Sequence, residues 1–325
     1  MLPSRQARFP IRRTSATVDD WHSGTAKPMK NHPGEALILH GVTITHPDRV
    51  VYKDGRITKG DVARYYAAVA PFLLRDITRR PISLLRCPSG IQADCFYQRN
   101  VGSGLGGHVH PFAWDYKGQS YQYIYVTDEM GLMQMIQMGV IEIHPWGATI
   151  DSIHTPDRMI FDLDPDPTVP FSAVKQAATE IRQRLTKSGL TSLLKCTGGK
   201  GLHVVVPLSP TRRWDEVKGW ASTLAHAMVE EAPDRFVATM TKSKRAGKIF
   251  IDYFRNDYTA TSIAAYSLRA RPGAPVAVPL QWRDLGTLKS ADQFGMTAVL
   301  KRIARQQRPK PLPIQQLPVL KAERF

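Results

Sequence analysis

Asp162 and Asp164 stand one residue apart in the stretch MIFDLDPDP, residues 159–167. Three apolar residues lead into the pair and Pro165 follows it. Alternate residues of a strand share a face, so the two carboxylates project together. Side by side they repel unless a cation lies between them, either a neighbouring Arg or Lys or a divalent metal. A third carboxylate, Asp252, falls inside the apolar run KIFIDYF (248–254) and is predicted to lie mid-strand. A buried, isolated carboxylate is costly. Facing a metal held by Asp162 and Asp164 would remove that cost, and three such carboxylates suit one or two Mg²⁺ or Mn²⁺ ions in phosphoryl transfer. Pairing of Asp252 with Arg255 or Arg269 is the alternative.

Anion-binding features accompany the acids. In CTGGKGLHVVVPL (196–208), Gly198, Gly199 and Gly201 free backbone N–H groups to approach an anion, and Lys200 adds charge. His203 follows in a very apolar strand. The spacing does not match the P-loop of NTPases. In YSLRARPGAP (266–275), Arg269 and Arg271 are expected on one face of a strand, which implies an anionic partner. His144, in EIHPWG, precedes the acidic strand.

The elements that must position these residues alternate without a βαβ rhythm, so the fold class is α+β with mixed, largely antiparallel sheets flanked by helices. Helices are predicted over 58–74 (Thr58 as N-cap), 128–140, 170–189 and 214–233. Strands are predicted over 80–88, 121–127, 141–147, 192–208 (two, joined by the glycine turn), 248–256 and 262–282 (strand, turn, strand), with a strand or a hairpin about Gly41 over 36–45. The Gly-rich stretch 100–119 has no periodicity and reads as a long loop. Residues 1–35 read as a flexible basic arm, 36–300 as the folded body and 301–325 as a Pro-rich basic tail.

Charge points to a polyanionic partner: 44 Lys and Arg against 28 Asp and Glu give a formal +16. No apolar run reaches the about 20 residues a membrane span requires. The three cysteines, Cys87, Cys95 and Cys196, form no CxxC pair, which argues against structural zinc and for reduced thiols in a cytoplasmic setting.

An Asp-x-Asp at a strand end also resembles the nucleophile strand of haloacid-dehalogenase-type phosphatases and the acidic motif of sugar-nucleotide transferases. The phosphatase pattern wants Thr or Val where Asp166 stands. Four longer motifs together carry a more specific resemblance: LLRCPSGIQADCFYQRN, EIHPWGATIDSIHTPDRMIFDLDPDP, CTGGKGLHVVVPL and IFIDYFRNDYTATSIAAYSLRARPGAPVAVPLQW. Over residues 40 to 290 the chain resembles the polymerase domain of bacterial ligase D, a member of the archaeo-eukaryotic primase superfamily that works in non-homologous end joining.

That resemblance implies a primase-like catalytic core and template-directed nucleotidyl transfer at gaps and broken ends. It implies Asp162, Asp164 and Asp252 as ligands of two Mn²⁺ or Mg²⁺ ions. It implies a nucleotide site of His144, Thr197, Gly199, Lys200, His203, Arg269 and Arg271, with Phe96 and Tyr97 stacking on the incoming base. Arg49 and Lys59 match positions that hold a downstream DNA 5′-phosphate. Ribonucleotides are expected to be preferred over deoxynucleotides, Ku and a separate ligase are expected partners, and the setting is the bacterial nucleoid. Thr197 replaces the family's usual Ser, FYQRN replaces FFQKH, and Arg49 replaces Lys. No ligase or phosphoesterase segment is recognisable, which leaves a stand-alone polymerase and an excised domain both open. The runner-up is a non-catalytic module that binds and bridges DNA ends.

Overall fold

The computed structural model describes residues 36–102 and 106–319. The arm expected over 1–35 lies outside the described residues, as does the end of the expected tail.

The body opens with a hairpin, β1 (Leu37–Leu39) and β2 (Val42–Ile44), turning at His40 and Gly41 with φ of 44° and 79°. β3 (Val50–Tyr52) pairs with β4 (Ile57–Thr58), which runs straight into α1 (Lys59–Ile77). Thr58 and Asp61 form a reciprocal capping box there, and Val62, Tyr66, Val69 and Leu73 bury the predicted apolar stripe.

The first large sheet contains β5 (Ile82–Arg86), β6 (Phe96–Gln98), β7 (Val109–Tyr116), β8 (Gln119–Val126) and, after α2 (Glu129–Gln137), β9 (Val140–Pro145). Its order is β6-β5-β8-β7 with β9 paired to β5, all antiparallel. The second sheet is built from β10 (Arg158–Pro165), β11 (Leu193–Cys196), β12 (Leu202–Pro207), β13 (Phe236–Val237), β14 (Ile249–Asp252) and β15 (Val278–Leu280). Its order, β13-β14-β10-β12-β11-β15, is antiparallel except at β13–β14. α3 (Phe171–Lys187) and α4 (Trp214–Glu231) pack on it, and α5 (Met296–Ala304) follows β15. One continuous apolar core runs beneath both sheets. The α+β expectation holds.

Four features depart from the sequence reading. Residues 109–116 are a strand rather than part of a long loop. Lys117 and Gly118, at φ of 51° and 75°, turn it into β8 through eight cross-strand pairs. Trp114 explains why: it stacks on Tyr116 and Tyr258 and meets Trp146 edge-on, so an aromatic cluster from distant segments secures the hairpin.

Residues 262–282 hold only the short β15, because the Arg-Pro-Gly-Ala-Pro turn carries two prolines and positive φ at Gly273 and Ala274. A single bridge, Leu268 to Val276, replaces the expected pairing, so Arg269 and Arg271 lie on a turn. Cys87 and Cys95 are disulfide-bonded instead of reduced, since the antiparallel β5–β6 pairing brings the two ends of their connection together. Cys196 is free and buried. Beyond the expected boundary at 300, α5 continues to Ala304, and Gln315 hydrogen-bonds the backbone of Thr191 and Ser209.

Candidate active site

Asp162 sits at the centre of the second sheet with His203 opposite it on β12 and Asp252 opposite it on β14. His203 Nε2 lies 3.3 Å from Asp162 Oδ1. On the other side, Arg255 Nε lies 3.4 Å from Asp162 Oδ2 and 3.1 Å from Asp252 Oδ2. Asp164, two residues along the same face, is more exposed and has Arg245 at 3.7 Å. Asp252 ends β14 rather than occupying its middle. Its Oδ1 accepts the N–H of Phe254 at 2.9 Å, a local turn that stops the strand.

The three acids differ electrostatically. Burial works to raise Asp162, but His203, Arg255 and Lys195 outweigh it and hold the carboxyl well below the usual range. Burial pushes Asp252 up to about 6, with Asp162 adding to the rise over the opposing Arg255. Asp164 is likewise raised, by burial and by Asp162, over Arg245 and Lys200. Positive charge beyond the arginines present would therefore be welcome.

The donors are carboxylate oxygens, the chemistry that hard divalent cations take, so the residues fit Mg²⁺ or Mn²⁺. Among the described residues no Asp, Glu, His and Cys side chains are already gathered into a three-ligand shell. Arg255 stands between Asp162 and Asp252, so of the two arginines considered as partners for Asp252 it is Arg255 that pairs with it.

The glycine turn approaches the acidic strand because it has no side chains in the way. A Cβ on Gly201 would lie 2.0 Å from the Leu163 carbonyl oxygen, and one on Gly198 would lie 2.8 Å from Arg269 Cγ. Thr197 Oγ1 donates to the Gly201 carbonyl at 2.9 Å and accepts the Gly199 N–H at 3.2 Å, so its hydroxyl is occupied inside the turn. Lys200 is exposed at the tip. His203 is 2% exposed.

Arg269 joins this turn, its Nη1 donating to the Thr197 carbonyl at 2.9 Å, and Arg271 approaches Gly199. His144 connects the first sheet to the group through Glu142, whose Oε2 also lies 3.2 Å from Arg269 Nε as an ion pair. Its ring meets Tyr97 edge-on with centroids 6.0 Å apart. Phe96 and Tyr97 are 47% and 63% exposed, available to a planar ligand. As neighbours on β6 they face opposite sides of the sheet. Tyr97 is the one beside His144, and Phe96 lies under the Arg86 guanidinium.

Arg49 and Lys59 line a different cavity of about 190 Å³, with Thr45, His46, Gln137 and Gly139, which includes none of the three carboxylates. Lys59 Nζ donates to Thr45 O at 3.0 Å and to Gln137 Oε1 at 2.9 Å. Burial, reinforced by Arg49, lowers its pKa from 10.5 to about 8.

Sequence reading missed Glu142, Arg245 and His46. Glu142 had a usable signal, since it stands two residues before His144 and alternation places both on one face. Arg245 reaches Asp164 from a separate loop, and nothing in its sequence context marks it.

Residues 58–310 match the family model for the LigD primase-polymerase domain. The chain is 37% identical over 264 residues to the multifunctional non-homologous end joining protein LigD of Pseudomonas aeruginosa, covering 81% of this chain and 31% of that protein. It is 28% identical over 288 residues to the bifunctional LigD of Bacillus subtilis, covering 88% and 46%. It thus spans about a third to a half of the curated relatives it matches. Among solved structures, the polymerase domain of Mycobacterium tuberculosis ligase D in complex with DNA superposes with a TM-score of 0.76 at 29% identity, over 82% of this chain and 96% of that one. Sequence and fold agree on the body that carries this site: this chain belongs to the LigD primase-polymerase family.

Proposed function

We propose that this protein is a template-directed nucleotidyltransferase that extends primers across gaps and at broken DNA ends, in bacterial double-strand-break repair by non-homologous end joining. The observation that carries the proposal is the cross-strand pairing of Asp162 with Asp252, beside Asp164, within a chain of this family. Asp162, Asp164 and Asp252 would hold two divalent ions, Mn²⁺ or Mg²⁺, which when bound would activate the primer 3′-hydroxyl and offset charge on the departing pyrophosphate.

The chain's own residues do the remaining work. The Gly198–Gly201 backbone, Lys200 and Arg269 present N–H donors and positive charge to the triphosphate. His203 stands against Asp162 and orients it. Tyr97 and Phe96 offer aromatic faces to bases, a contact indifferent to sequence. Arg49 and Lys59 take the 5′-phosphate across the gap in their own cavity. The excess positive charge grips duplex phosphates. Preference for ribonucleotides, recruitment by Ku, sealing by a ligase and action at the nucleoid belong to the same reading. Among the described residues no helix is long and apolar enough to cross a membrane.

The pairing of Arg255 with two of the three acids favours a second reading, a DNA-end-bridging module that synthesises nothing. Extension of a gapped, 5′-phosphorylated primer-template with each rNTP and dNTP, in Mn²⁺ or Mg²⁺, separates the two. Metal-dependent extension lost in Asp162→Ala/Asp164→Ala is the expected result. Tight gap binding with no extension under any metal would leave the bridging module.

A further inference from the structure

Glu142 is 4% exposed, a carboxylate buried at the junction of β9 and the Arg269 turn. A buried carboxylate is tolerated when its oxygens are occupied. Here both are. Oε1 accepts the backbone N–H of Ala270 at 2.8 Å. Oε2 bonds His144 Nε2 at 2.9 Å and lies 3.2 Å from Arg269 Nε. Burial opposes the charged form, but His144, Arg269 and the Ala270 amide outweigh it and bring the carboxyl down to about 2. Glu142 is therefore ionised at neutral pH.

An ionised carboxylate only accepts hydrogen bonds, so the shared proton sits on His144 Nε2. Burial, helped by Arg269 and Arg255, lowers the His144 pKa over the opposing pull of Glu142, which makes the ring neutral at pH 7. The lone pair of a neutral ring with Nε2–H is on Nδ1. Among the described residues nothing bonds that atom.

Arg269 Nε lies at ion-pair distance from the same oxygen without a hydrogen bond of its own, and its Nη1 donates to the Thr197 carbonyl of the glycine turn. One carboxylate thus orients two side chains from different segments and ties a strand of the first sheet to the turn of the second.

We infer that Glu142 is a positioning residue of the nucleotide site, holding His144 in the Nε2–H form with Nδ1 as an acceptor and pinning Arg269 to the glycine turn. This rests on the reading that His144 and Arg269 line that site. A phosphate oxygen ionised at neutral pH has no proton to offer an acceptor nitrogen. The group that meets Nδ1 is consequently a hydroxyl of the sugar or primer, while Arg269 and Lys200 serve the phosphates.

The test is Glu142→Gln, read by ¹⁵N NMR of the histidine rings in nucleotide-free protein and by calorimetric binding of ATP. The Gln oxygen keeps the Ala270 N–H and turns an NH₂ donor toward His144, so the ring proton should move to Nδ1. Loss of the charge beside Arg269 should weaken ATP binding about tenfold or more, since removing one member of a buried ion pair leaves the other uncompensated. A wild-type His144 carrying its proton on Nδ1, or on both nitrogens at pH 7, overturns the inference. So does a folded variant that keeps the Nε2–H form, or one that binds ATP as tightly as wild type. The wild-type spectrum decides even where the variant fails to fold. Wild-type protein that binds no ATP would instead defeat the nucleotide reading, leaving the tautomer result intact.

Discussion

Asp162 and Asp252 face each other across the β10–β14 pairing, and the Arg255 guanidinium stands between them, 3.4 Å from one carboxylate and 3.1 Å from the other. Arg255 is the shared counter-ion of the two acids. Arg255 is 39% exposed, and a divalent ion held by Asp162 and Asp252 would compete with it for the same carboxylate oxygens. Arg255→Gln should destabilise the metal-free protein and tighten Mn²⁺ binding about tenfold. Asp162→Asn should abolish the rise of about 5 °C in melting temperature that saturating Mn²⁺ is expected to give. Thermal melts across a Mn²⁺ titration check both, and weaker metal binding by Arg255→Gln would show that the arginine helps hold the ion instead.

Lys59 is predicted to make recognition of a 5′-phosphate fade at mildly basic pH. Burial and Arg49 bring its pKa to about 8, so the cation that pairs with phosphate is present below that pH and lost above it. The preference for a 5′-phosphorylated over a 5′-hydroxyl gap should fall up to about tenfold between pH 7 and 9, the scale of one charged hydrogen bond. Lys59→Arg should keep it flat, because a guanidinium does not titrate there. Lys59→Ala should lower the salt dependence of binding by about one unit of slope. A wild-type preference independent of pH would remove Lys59 from the phosphate.

Gly201→Ala should disable the acidic strand without touching an ionisable group. The added methyl would sit 2.0 Å from the Leu163 carbonyl oxygen, between Asp162 and Asp164 in sequence, and backbone must move to admit it. Overpacking of this kind costs about 1–3 kcal/mol. A loss of at least about 100-fold in extension rate, with a lower denaturation midpoint, is the expected pair of results. Near-normal extension would mean that the turn need not lie so close to β10.

The Cys87–Cys95 bond closes a loop whose ends are eight residues apart, immediately before Phe96 and beside the Arg49–Lys59 cavity. Loop-closure entropy for so short a loop is about 2–3 kcal/mol. Reduction, or Cys95→Ser, should lower the melting temperature by several degrees and speed amide exchange in β6. Identical melts with and without reductant would show that the two thiols are not paired in solution.

What the sequence alone determined was local or motif-borne. The capping box at Thr58, the alternation that sets Asp162 beside Asp164, the Gly198–Gly201 turn and the largely antiparallel mixed class all depend on residues near one another in the chain. Its long motifs also carried the family. Tertiary structure decided which distant residues meet. That His203 and Asp252 flank Asp162 follows from strand register. That Arg255 takes the place between two acids, and that Glu142 holds His144 and Arg269 together, follows from loops folding back on sheets. The aromatic cluster around Trp114 made a strand of an apparent loop for the same reason. Backbone propensity and periodicity act over a few residues, whereas burial of a ring or a charge is settled by whatever the fold brings opposite it.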